Sequence, residues 1–425
     1  MNILREKITK PLKGRITIPP DKSICHRAGM LSLLVKGKIK ISNYSKGADC
    51  LSTFDIIQKL GCNTEFIDEK TLIIDSKNAL QPPKTELSCN NSGTTMRLMS
   101  GILAGQNFNS VLTGDESLSK RPMKRVIEPL SLMGAKIEHK DFKAPLKIFG
   151  KKLTAIDYTS KLASAQVKSC ILLAGLNADG VTTYREPYRS RNHTELMLDY
   201  LGADISVNEN TIKVSKSELV PRDILVCGDI SSAAFFIAAA CLVPGSDIII
   251  ENIGLNPTRT GILEVLEKMG ADIEILNKKT ECNEESGDLR IKHAELKGVE
   301  ISGEIIPRLI DELPVIAVLA TQAQGTTTVK DAGDLRNKES DRISCLVKEL
   351  AKTGIKITET GDGFIITGKQ KIKGGAQTDC HHDHRLAMSL YVAGLIAEQP
   401  VKIDEFQWVN ISFPEFSELM AKIGA

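Results

Sequence analysis

The chain has 425 residues, with 55 Lys and Arg against 53 Asp and Glu and 42% hydrophobic residues. A net charge of +2 creates no long-range field for nucleic acid or an acidic membrane, so any anion binding has to be local. The length predicts two or three domains whose cores fold without disulfides.

Ten cysteines are spread so thinly that no two are closer than Cys50 and Cys62, which leaves no CxxC pair for zinc or redox work. The opening Met1-Asn-Ile-Leu-Arg-Glu-Lys7 meets charge at once and builds no apolar signal core. The longest apolar run, residues 233–243, is too short to cross a bilayer. A cytoplasmic protein with reduced thiols is expected.

Along the chain one pattern recurs: an amphipathic helix, a turn, a β-branched strand, a second helix and a further strand. The first helices open near Asp21, Asn91, Ser164, Asp229, Asp311 and Asp383. The strands that follow are expected at residues 38–42, 110–113, 181–184, 247–251, 326–330 and 401–404. Second helices end in similar phrases, Leu132-Met-Gly-Ala-Lys-Ile137, Tyr200-Leu-Gly-Ala-Asp-Ile205 and Lys268-Met-Gly-Ala-Asp-Ile273, where Gly suits a left-handed cap.

The two halves also echo each other. Asp21 and Ser23 align with Asp229 and Ser231, and Gly37 and Ile41 with Gly245 and Ile249, at a constant offset. The fold class expected is α/β: two similar domains, each of three repeated α/β units. The boundary is expected to be double, with residues 1–20 joining 227–425 and residues 21–226 forming the other domain, the active-site cleft lying between them. The alternative is two contiguous domains cut near residue 225. It differs in which half holds the N-terminal strand.

Unpaired N–H groups and the dipole make helix starts favourable for anions. Asp21-Lys22-Ser23 with His26-Arg27, Asn90-Asn91-Ser92-Gly93, Ser164-Ala165-Gln166, Asp311-Glu312 and Asp383-His384-Arg385 supply hydroxyl, amide, carboxylate and guanidinium groups there. The segments Lys120–125, Ser190-Arg191-Asn192-His193 and 336–342 read as second helices that begin with basic residues, against the dipole unless an anion sits there. Caps and solvated basic faces are the bland alternatives. His381-His382-Asp383-His384 does not have the spacing of a metal site, and neither a GxSxG elbow nor a GxxxxGK[ST] loop is present.

The phrases Asp21-Lys-Ser-Ile-Cys-His-Arg27, Asn91-Ser-Gly-Thr-Thr-Met-Arg97, Leu112-Thr-Gly-Asp-Glu-Ser-Leu-Ser-Lys-Arg-Pro-Met123, Ala163-Ser-Ala-Gln-Val-Lys168, Arg336-Asn-Lys-Glu-Ser-Asp-Arg342 and Asp383-His-Arg385 carry a resemblance. Over essentially its whole length the chain resembles the 5-enolpyruvylshikimate-3-phosphate synthases, in the class II-like bacterial branch of the enolpyruvyl transferases. The resemblance implies the inside-out α/β barrel fold of that type. It implies transfer of the enolpyruvyl (carboxyvinyl) group of phosphoenolpyruvate to the 5-hydroxyl of shikimate 3-phosphate, with release of phosphate, in the shikimate pathway toward chorismate and aromatic amino acids. No metal or organic cofactor, no nucleic acid and no membrane are implied, and a monomer is expected.

By the same resemblance, Lys22, Ser23, Arg27, Ser164, Ala165, Gln166, Ser190, Arg191, Asp311 and Lys338 bind shikimate 3-phosphate. Lys22, Gly93, Arg121, Gln166, Glu339, Arg342, His384 and Arg385 bind phosphoenolpyruvate. Asp311 is the implied base for the attacking hydroxyl, while Glu339 and Lys22 handle the methylene proton and the departing phosphate. Such ligands, each bearing a phosphate and a carboxylate, call for Arg, Lys and helix starts. Two departures stand out: Pro20 replaces the usual Gly, and the lysine usual before the C-terminal Phe413-Pro414 is absent. Gly93 leaves room for glyphosate, which Ala would crowd. The alternatives are a UDP-N-acetylglucosamine enolpyruvyl transferase, or a non-catalytic anion-binding protein on the same scaffold.

Overall fold

The computed structural model describes residues 1–77 and 79–425. Three helices of the 227–425 stretch are buried along their whole length or nearly so: Ile230–Leu242, Leu313–Gln322 and His384–Gly394. Their sequences explain why. The run Ile-Ser-Ser-Ala-Ala-Phe-Phe-Ile-Ala-Ala-Ala-Cys-Leu is apolar all round, so no face can be given to water. These helices pack on one another. The second helices, such as Gly261–Met269 and Arg342–Lys352, are instead amphipathic and bury one face. Gly270 ends the first of these at φ +86°, a conformation that favours glycine.

Contacts divide the chain into two units. One comprises Met1–Pro19, Cys227–Lys279 and Glu285–Ala425; the other comprises Pro20–Val226 and Thr280–Glu284. In the second unit the corresponding buried helices are Lys22–Ser32, Gly93–Ala104 and Ala165–Gly175, and the middle one packs against the other two. Gly101 permits the closest approach: a Cβ there would lie 2.2 Å from the Cys170 carbonyl oxygen.

Among the described residues six separate mixed sheets accompany these helices, five of four strands and one of three. In each four-stranded sheet the strand after a buried helix has a parallel strand on one side and an antiparallel hairpin strand on the other. Lys38–Ser42, for example, lies between Ile224–Leu225 and Leu72–Asp75. Three sheets are completed by strands distant in sequence. Lys13–Thr17 runs parallel to Asp247–Gly254, and Ile224–Leu225 runs parallel to Lys38–Ser42, so the strand entering each half is used in the sheet of the other half's first repeat. The three-stranded sheet is completed by Ile3–Arg5, antiparallel to Val401–Asp404. The N-terminal strands thus belong with the second half of the sequence. Among the described residues no helix is long and apolar enough to cross a membrane.

One buried polar group in the second unit gives this fold a pH dependence. His26 lies on the Lys22–Ser32 helix with Nδ1 2.7 Å from Thr53 Oγ1, and burial pushes its pKa down from 6.5 to about 3. Below pH 6.5 an unfolded chain takes up a proton that the folded ring refuses until about pH 3. Stability contributed by the neutral ring is therefore complete above pH 6.5 and is lost as the pH falls through that window. By about pH 5 the loss amounts to about 2 kcal/mol. His26→Asn, which can keep an N–H near the Nδ1 position, should flatten the difference in urea-denaturation free energy between about pH 7 and about pH 5. An unchanged difference would mean that the folded ring is already protonated.

Candidate active site

Buried helices carry their polar ends into the protein, and five of the six starts are closed by their own N-cap side chains. Asp21 accepts from Ile24 N at 3.0 Å, Ser92 from Thr95 N at 3.2 Å and Ser164 from Val167 N at 3.5 Å. Asp229 accepts from Ser231 N and Asp383 from Arg385 N, both at 2.9 Å. The Leu313–Gln322 helix is the exception, with Glu312 at its cap making no such bond. The bland reading of these residues as caps is therefore correct as far as it goes. At Asp229 the start is further filled by Arg259, 2.9 Å from the carboxylate and 2.7 Å from Ser231 Oγ.

In the second unit the expected residues fall into two linked groups. Arg27 is 3% exposed, and its guanidinium donates to Thr194 Oγ1 at 2.7 Å, Ser169 Oγ at 2.8 Å and the Ser23 carbonyl at 3.0 Å. Arg191 Nη1 donates to Ser23 Oγ at 3.5 Å, which brings Ser23, Arg27 and Arg191 together. Lys22 starts the helix and pairs with Asp49 at 2.8 Å. The second group centres on Gln166, whose Oε1 accepts from Arg97 Nη1 at 2.8 Å and whose Nε2 donates to Thr94 Oγ1 at 3.0 Å. Gly93 lies under this pair. A Cβ there would sit 2.7 Å from Arg97 Nη1, so glycine makes room for that guanidinium, while Arg121 Nη1, at 3.5 Å, would be in ordinary contact. Arg121 Nη2 donates to Asn91 Oδ1 at 3.4 Å. Ser164 caps the next helix, Ala165 is its first residue, and Ser190 Oγ donates to Glu186 at 2.6 Å.

In the first unit Arg342 is the hub. It is 1% exposed, with Nε 2.7 Å from Asp383, Nη1 3.1 Å from Asp311 and Nη2 2.6 Å from Glu339. Burial acts to lower its pKa, but Asp383, Glu339 and Asp311 outweigh that and hold it above the ordinary arginine value. Lys338 Nζ is 3.7 Å from Asp311, and Arg385 Nη1 accompanies them, donating to the Asp311 carbonyl at 3.2 Å. His384 is buried at the start of its helix. Five expected residues, Asp311, Lys338, Glu339, Arg342 and Arg385, therefore form one cluster.

The expectation that second helices begin with basic residues holds for Lys124-Arg125 and for Arg342, while the other expected cations lie ahead of the helices. Arg121, Arg191 and Lys338 lie in connecting segments, because the helices start only at Lys124, His193 and Arg342. Arg342, like Lys124, begins a helix against the dipole, and at Arg342 the compensating anions are the protein's own three carboxylates. Arg336 is held structurally, between Asp341 at 2.9 Å and Glu359 at 2.8 Å. Sequence reasoning also missed partners. Arg97 sits inside a recognisable phrase and could have been found there, whereas nothing in the spacing marks Asp49 as the partner of Lys22. Among the described residues no group of three or more His, Cys, Asp or Glu is arranged to hold a metal ion. His381 and His382 turn to Glu349 and Glu405, each at 2.8 Å.

The model of the family described as EPSP synthase (3-phosphoshikimate 1-carboxyvinyltransferase) matches residues 6–420. A 3-phosphoshikimate 1-carboxyvinyltransferase from Petrotoga mobilis is 51% identical over 424 residues, covering 98% of each chain. One from Bacillus subtilis is 49% identical over 425 residues, covering 99% of each. Among solved structures, an EPSP synthase from Acinetobacter baumannii superposes with a TM-score of 0.90 at 40% identity, covering 100% of this chain and 98% of that one. Full-length agreement in both sequence and fold leaves the UDP-N-acetylglucosamine enzyme and the silent scaffold without support. The chain belongs to the EPSP synthase family.

Proposed function

We propose that this chain transfers the carboxyvinyl group of phosphoenolpyruvate to the 5-hydroxyl of shikimate 3-phosphate, with release of phosphate, as a cytoplasmic monomer. The observation that carries the reading is the Asp311 cluster. A carboxylate at the end of a helix connection, flanked by Arg342, Lys338 and Arg385, is suited to take a hydroxyl proton beside bound anions. The ten cysteines, none of them paired among the described residues, fit a reducing compartment.

The chemistry divides into addition and elimination. In addition the 5-hydroxyl oxygen bonds to C2 of phosphoenolpyruvate, the hydroxyl proton leaves and the methylene carbon gains a proton. In elimination a methyl proton is lost and the C–O bond to phosphate breaks, which restores the double bond. Asp311 is assigned the hydroxyl proton, and Glu339 and Lys22 the methylene proton and the charge on the departing phosphate. Lys22, Gly93, Arg121, Gln166, Arg342, His384 and Arg385 are assigned to phosphoenolpyruvate. Ser23, Arg27, Ser164, Ala165, Gln166, Ser190, Arg191 and Lys338 are assigned to shikimate 3-phosphate. Arg342 holds three carboxylates, so its contribution includes fixing Asp311 and Glu339 in place. Holding two bound reactants in the correct geometry supplies about 7–11 kcal/mol of barrier reduction.

The direct test is phosphate release from phosphoenolpyruvate. Release that requires shikimate 3-phosphate supports the reading, while release without it, or with UDP-N-acetylglucosamine in its place, rejects it. Asp311→Asn should lower kcat by about 10²–10⁴ with KM values close to those of the wild type. Near-normal turnover would remove the base assignment. Gly93→Ala, which puts a methyl group against Arg97 and Arg121, should raise KM for phosphoenolpyruvate by about tenfold and weaken glyphosate inhibition in parallel. An unaltered KM would show that the Arg97 guanidinium moves aside without loss.

A further inference from the structure

Lys168 is fully buried on the Ala165–Gly175 helix, two residues after Gln166. Its ammonium has three N–H groups, and three acceptors meet them: Glu186 Oε1 at 2.8 Å, Glu195 Oε1 at 2.8 Å and the Ser190 carbonyl at 3.1 Å. Glu186 in turn accepts from Ser190 N at 2.9 Å and from Ser190 Oγ at 2.6 Å. Ser190 is thus gripped at its N–H, its hydroxyl and its carbonyl, each grip leading to Lys168 directly or through one carboxylate. The other oxygen of Glu195 is buried and makes no hydrogen bond, so Lys168 is what compensates that carboxylate.

Burying an ammonium with two carboxylates is costly, and packed apolar side chains would stabilise the same volume at least as well. The arrangement makes sense if its result is geometric. The adjacent residues repeat it, since Ser169 and Thr194 meet at 2.6 Å and both accept from Arg27. Two buried cations therefore tie the start of the Gln166 helix to the segment that carries Ser190 and Arg191.

We infer that Lys168 is a positioning residue that, through Glu186, sets the Ser190-Arg191 segment in the geometry that receives the phosphate of shikimate 3-phosphate. This rests on the assignment of Ser190 and Arg191 to that substrate. It predicts a defect confined to one substrate. Lys168→Met should raise KM for shikimate 3-phosphate about tenfold or more while KM for phosphoenolpyruvate stays within about twofold. Glu186→Gln should give a smaller rise in the same direction. In a Ser190→Ala background the effect of Lys168→Met should shrink to about threefold or less, because both changes act on one segment.

Both KM values measured by steady-state kinetics, with thermal unfolding as a control, decide the matter. Parallel rises in both KM values, a fall in kcat alone, or full additivity with Ser190→Ala would overturn the inference. If Lys168→Met shows no cooperative unfolding, Glu186→Gln decides, and an unchanged KM for shikimate 3-phosphate in that variant overturns it. A wild-type chain inactive on the two substrates would instead reject the proposed function, an outcome visible before any variant is made.

Discussion

A helix buried along its whole length takes its unpaired N-terminal N–H groups into the interior, where leaving them unsatisfied is expensive. This constraint applies at each of the six buried helices and is met at five of them by Asp or Ser. Where the cap is a carboxylate, burial creates a second demand, for a cation. Asp229 is met by Arg259 and Asp383 by Arg342, and Arg342 then draws in Asp311 and Glu339. The charged cluster is a consequence of how the core is closed.

The two units meet the same demand with different chemistry. In the second, two of the three caps are serines, and the nearby cations Arg27, Arg97 and Arg191 are oriented by hydroxyl, amide and carbonyl groups. In the first, carboxylates and cations alternate around Arg342. Lys168 shows the cost of precision in the second unit, where a buried ion cluster is kept in place of apolar packing.

Much of this was legible in the sequence because it depends on local pattern. The six helix starts and the strands after them follow from period, caps and glycine stops, and they lie within a residue or two of the expected places, except that the strand expected at 247–251 continues to Gly254. Family phrases pointed to Asp311, Glu339, Arg342 and Arg385, which do converge. Less legible were partners at long range. Asp49 reaches Lys22 from another helix, and Glu186 reaches Ser190 across a loop. The basic segments do lead into helices, but the helices start later than the first cations, because a run of cations has no period to show where a helix begins.

The sequence by itself determined the repeat and the family and supplied most of the residues proposed for the site, since each is written in short stretches whose chemistry is local. Only the tertiary structure decided which strands complete which sheets. The strands Lys13–Thr17 and Ile224–Leu225 are each followed directly by a buried helix, yet they pair in the sheet of the other half's first repeat. It also decided that the anions opposing Arg342 are the protein's own. Both outcomes depend on pairings between residues far apart in the chain, and backbone hydrogen bonds and buried charges choose their partners by proximity in space.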